Sequence, residues 1–115
     1  MILNIIIYTL LIALSAIFKA VSDVCADHYS NSIFTKFNNP VFWDKSVSWQ
    51  RKYKKGWQYW DPISDAWHIS NGCMISAFIA AGIFFPAYNP VIVFCVSGIL
   101  FTVVFNTFYN KIFKK

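Results

Sequence analysis

The chain has 115 residues, enough for one small domain. It is 57% hydrophobic and 20% aromatic, and its 13% of charged residues compares with roughly 25% in an ordinary soluble domain. The charges are segregated, with none in residues 1–18 or 66–110, twelve from Lys19 to Asp65 and three (Lys111, Lys114, Lys115) at the end. A soluble core this small cannot hide 45 consecutive uncharged residues, so a soluble globular domain is excluded. The hydrophobicity excludes disorder, and three scattered cysteines exclude a disulfide-stapled secreted domain. What remains is an all-α membrane protein, a single membrane domain over 1–115.

A helix needs about 20 apolar residues to cross roughly 30 Å of hydrocarbon, where lipid offers backbone groups no hydrogen bonds. The first such stretch is Leu3–Val21, with Lys19 close enough to its end to snorkel to the headgroups. A signal peptide is the competing reading, with Ala20 and Ser22 suiting a cleavage site. The missing Lys or Arg before the apolar run and the intrusion of Lys19 weigh against it.

Residues 22–65 differ sharply from what precedes them. All five tryptophans fall between Trp43 and Trp67, and Trp43, Trp49, Trp57 and Trp60 alternate with Lys45, Arg51, Lys52, Lys54 and Lys55. Indole rings favour headgroup depth, and Lys or Arg reach anionic lipid there, so this stretch reads as an interfacial layer lying on the bilayer. Aromatic and basic residues also mix in nucleic-acid grooves, but five Asp reduce the net charge of 22–65 to +1, which disfavours nucleic acid. Asn38-Asn39-Pro40 and Asp61-Pro62 are turn signals bounding a short surface helix near 44–55.

The long uncharged run breaks at Pro86-Ala-Tyr-Asn-Pro90, because Pro90 disfavours helical geometry at Asn89. Two further spans follow, Ala66–Phe85 and Val91–Asn110, joined as a tight hairpin. Nine of the ten Lys and Arg residues lie in 22–65 and the tail, on one side of a three-span topology. The positive-inside bias therefore predicts a bacterial inner (cytoplasmic) membrane protein with its N-terminus outside and its C-terminus in the cytoplasm.

Each span carries a line of small or polar residues of the kind that lets helices approach closely. These are Thr9, Ala13, Ala16 and Ala20, then Gly72, Ser76 and Ala80, then Gly98, Thr102, Asn106 and Asn110. The first line extends to Asp23 and Asp27, and the second reaches back to His68, three residues after Asp65. If these lines face one another, Asp23, Asp27, Asp65 and His68 converge near Asn106 and Asn110. Carboxylate and imidazole groups suit a divalent metal such as zinc, manganese or iron, and Asp with His can perform acid–base work. The same groups also serve as helix-end polar residues capped by backbone and water, or as a proton relay. No fixed-spacing motif such as HExxH favours the metal. Cys25, Cys73 and Cys95 are too far apart for a metal pair and are expected as free thiols.

Three blocks, Asn39-Pro-Val-Phe-Trp43, Ser48-Trp-Gln-Arg-Lys-Tyr53 and Ser64-Asp-Ala-Trp-His68, resemble small three-span membrane proteins of Bacteroidota and their phages. The resemblance covers roughly residues 23–68. It implies a membrane location and brings no activity with it.

Three functions fit these features. The first is a binding or assembly component of the membrane, whose partners are the bilayer, anionic headgroups, and further copies of itself or another membrane protein. The second is a small metal-dependent enzyme using the Asp/His cluster on a lipid-linked substrate. The third is a phage holin-like pore-former, which the 40-odd residues between the first two spans disfavour.

Overall fold

The computed structural model describes residues 2–38, 40–45 and 66–113. Helix α1 spans Ile2–Asp27. Two short 3-10 turns follow, Tyr29–Asn31 and Ile33–Phe37, and then a single helical turn, α2, Pro40–Trp43. Helices α3, Ala66–Ile83, and α4, Pro90–Thr107, form the hairpin, and α4 runs on through a π-helical turn, Phe108–Phe113. No strand is found among the described residues. Three helices are long and apolar enough to cross a membrane: Ile2–Asp27, Ala66–Ile83 and Pro90–Phe113. The chain is thus an all-α protein with three candidate membrane spans.

The helix boundaries have local causes. Asn89 is non-helical (φ −55°, ψ 119°), and its side chain accepts a hydrogen bond from the Val91 amide at 2.9 Å. Pro90 then occupies the first helical position, where its missing N–H costs nothing. In the turn after α1, the Ser32 hydroxyl accepts from the Phe34 amide and Asn38 closes Ile33–Phe37 in the left-handed region (φ 55°). Asn tolerates that conformation because its short side chain bonds locally. At about 1.5 Å per residue, α1 is about 39 Å long, more than the roughly 30 Å of a hydrocarbon core.

Helix α1 is the central element, in close backbone contact with both α3 and α4. The hairpin is therefore short in its connection but not tight along its length: α3 and α4 meet through large rings, such as Phe78 stacked on Phe101 at 5.6 Å. Ala16 and Ala20 lie at 0% exposure on α1, as their spacing suggests, while Thr9 is exposed.

The other two small-residue lines do not pack closely against a neighbouring helix. On α3 the buried residues are Ala66, Ser70, Ala77 and Ala81, whereas Gly72 and Ser76 are exposed. Helical geometry gives the reason. Each step of four residues turns about 40° further round, so 68–72–76–80 sweeps about 120° and cannot follow one neighbour. Positions 66, 70, 77 and 81 stay within an arc of about 60° and can. On α4, Gly98, Thr102, Asn106 and Asn110 are all exposed. Phe101, Phe105, Phe108 and Tyr109 are half-buried there instead, while Gly98 and Thr102 border the open cleft between the helices. Beyond the glycine's own helix backbone and chain neighbours, no heavy atom lies within 4 Å of where a Cβ would stand at Gly72, Gly82 or Gly98, so none of these glycines marks a close approach.

Among the described residues, the buried hydrophobic cluster lies at the end of the bundle remote from the hairpin turn. There Ala20, Val24, Cys25, Phe34, Ala66 and Phe113 form a buried cluster that joins α1, the 3-10 turns, α3 and the π-helical turn. Trp43 covers it, stacked on Phe34 with ring centroids 4.6 Å apart and planes 5° from parallel.

Candidate functional site

The same end carries the polar residues singled out above. Asp23 is half-buried and receives the Lys19 ammonium at 2.9 Å, one helical turn back. That spacing is legible in the sequence as an i,i+4 pair and lets each charge offset the other. Asp27 is exposed. His68 is half-buried and meets the Trp67 ring edge to face, with centroids 4.9 Å apart. Asp65 lies outside the described residues. Among the described residues no three His, Cys, Asp or Glu side chains are placed to hold one metal ion. Asn106 and Asn110 are exposed on the opposite side of α4 from its aromatic face.

Two residues that the sequence reading passed over belong here. His28 packs its ring edge to face on Tyr109, with centroids 5.7 Å apart, and Tyr109 lies within the electrostatic reach of Asp27 and Asp23. The available signal was that the chain has only two histidines and that one of them follows Asp27 directly. Nearby, burial and then the negative charges of Asp44 and Cys25 push the Tyr29 hydroxyl above its ordinary value. The tail-end polar groups are thus distributed around the root of α1, with Lys19 and Tyr109 as neighbours of its carboxylates.

Of the expected interfacial aromatic and basic residues, Trp43 and Lys45 are described. Trp43 is half-buried among rings, stacked on Phe34 and on Phe37 (5.2 Å). Lys45 places its ammonium 3.8 Å above the Trp67 ring, a cation–π contact worth about 0.5–1 kcal/mol at an exposed site. Trp49, Arg51, Lys52, Lys54, Lys55, Trp57 and Trp60, with most of the expected surface helix, lie outside the described residues.

Two apolar clefts flank the contact between α1 and α4 near the hairpin turn. The larger, of about 480 Å³, opens between all three helices and is walled by Ile12, Phe78, Phe85 and Phe101. The smaller, of about 200 Å³, lies on the other side, against Ile5, Pro86 and Ile92. Tyr8 and Ser97 line both. Cys25, Cys73 and Cys95 form no disulfide among the described residues.

No family model, no curated protein and no solved structure matches the chain.

Proposed function

We propose that the chain is a binding or assembly component of the bacterial cytoplasmic membrane, with its N-terminus outside and residues 22–65 and the tail in the cytoplasm. In this reading the third helix is offered to lipid and to membrane-embedded partners, while Trp and Lys or Arg of residues 43–60 rest on anionic headgroups.

The observation that carries the reading is the poverty of burial on the third helix. Of the residues from Pro90 to Thr107, Val93 alone is buried. Ile92, Phe94, Val96, Ile99 and Val103 are each more than half exposed. Such a surface belongs in contact with hydrocarbon or with another helix. The orientation rests on the segregation of nine of ten basic residues to one side.

Both halves are testable in intact cells. Cysteines introduced at Lys36 and Tyr88 should react oppositely with a membrane-impermeant maleimide, Tyr88→Cys from outside and Lys36→Cys only after permeabilisation. The reverse pattern overturns the orientation. A photocrosslinker at Ile99 should yield a discrete adduct with a second copy or another membrane protein. Lipid adducts alone would overturn the assembly role.

A further inference from the structure

We propose that the hydrogen bond between Tyr8 and Ser97 is a latch that holds α4 against α1 in the hairpin half of the bundle. When it breaks, the two helices part sideways and the clefts on either side of them merge.

The bond joins two helices at 2.7 Å, and its direction is fixed by its neighbour. Ser97 Oγ already donates to the Val93 carbonyl at 2.6 Å, so its single proton is committed and the Tyr8 hydroxyl must be the donor. The pair lines both clefts, of about 480 and 200 Å³, and so stands as the partition between them.

What makes it a latch is the weakness of everything else nearby. In hydrocarbon, an apolar contact between helices merely replaces an apolar contact with lipid, so polar bonds and close packing decide whether helices stay together. Close packing is slight here: Gly82 and Gly98 face open space, and Val93 is the only buried residue on α4. At its other end α4 is pinned. Phe113 is buried against Phe34 at 5.3 Å, and Tyr109 packs on His28. Tyr8 also touches Phe85 edge to face at 5.7 Å, which steadies the phenol while it reaches Ser97. Along its half-exposed remainder α4 is tied to α3 by the hairpin turn and the Phe78–Phe101 stack, and among the described residues Tyr8–Ser97 is its side-chain hydrogen bond to α1, so α4 swings away from α1 when that bond is lost.

The test uses the full chain in phospholipid nanodiscs, with Cys25, Cys73 and Cys95 replaced by alanine and spin labels attached to introduced cysteine pairs. Labels at Leu3 and Val96, which are 66% and 59% exposed, report the hairpin half. Labels at Asp27 and Ile112, both exposed, report the pinned half. Tyr8→Phe and Ser97→Ala should each raise the long-distance population of the first pair about threefold, the factor an average transmembrane hydrogen bond carries. The double variant should go no further than either single one. Ser97→Thr, which keeps the hydroxyl, should match the unmodified protein. The latch is overturned if the first pair is unchanged by Tyr8→Phe and Ser97→Ala. It is equally overturned if the second pair moves as much as the first, since that means general loosening.

Discussion

The two ends of this helical bundle are built on different principles. At the end remote from the hairpin, α1 is enclosed on nearly every side: Ala20, Val24 and Cys25 are at 0% exposure, and aromatic rings from three other segments close over them. At the hairpin end, Ile2, Leu3 and Leu10 are each more than 60% exposed, and the helices stand apart around clefts. On the placement in the bilayer proposed above, the difference follows the solvent each end meets. Where the chain leaves hydrocarbon, apolar groups gain by leaving water, and a dense aromatic core forms. Within hydrocarbon that gain vanishes, so the hairpin end keeps only what small residues and single hydrogen bonds can hold.

The largest effect separating the two ends should come from Phe34. It is 6% exposed and touches Trp43, Phe37 and Phe113, so it anchors the dense end. Phe34→Ala should destabilise the protein by about 3–5 kcal/mol, measured by denaturant unfolding in mixed micelles followed by tryptophan fluorescence. Phe94 at the open end is 77% exposed, and Phe94→Ala in the same assay should change stability by less than about 0.5 kcal/mol. Equal losses at both positions would dissolve the comparison.

A smaller effect should distinguish the small-residue lines. Ala20 has no free volume beside it, so Ala20→Leu should overpack the α1 contact and cost about 1–3 kcal/mol by the same unfolding measurement. The smallest effect should have the opposite sign. Gly72 meets nothing within 4 Å of a new Cβ, so Gly72→Ala should stabilise α3 by up to about 1 kcal/mol through its helix propensity. A loss at Gly72 instead would mean that the Gly72–Ser76 line packs against a neighbour after all.

The sequence was most legible where one physical requirement acts alone. Long apolar stretches must become helices in lipid, because lipid cannot satisfy a bare backbone, and the three expected spans fall on the three long helices, although α1 runs six residues beyond Val21 and α3 ends two before Phe85. Pro90 and Asn89 could be read with confidence because their constraint is local and steric. The Lys19–Asp23 pair was equally open to reading, since α-helical spacing brings positions four apart together wherever the helix lies. Small residues were legible only in part. A sequence shows that Gly72, Ser76 and Ala80 form a line and that Ala66, Ser70, Ala77 and Ala81 form another, but not which one a neighbour takes.

Composition and charge spacing alone thus determined an all-α chain with three apolar helices and a polar, aromatic segment between the first two. Those properties depend on each residue's own preference for lipid or water, which needs no knowledge of its neighbours. Tertiary structure decided the rest: which face of α3 meets α1, that α4 half-buries Phe101, Phe105 and Tyr109 and leaves its Gly98–Asn110 line exposed, and that Tyr8 finds Ser97 across 89 positions of chain. Those choices compare the fit of one helix surface against another. In hydrocarbon, where every apolar face is equally at ease with lipid, such fits differ by little until real side-chain volumes are brought together.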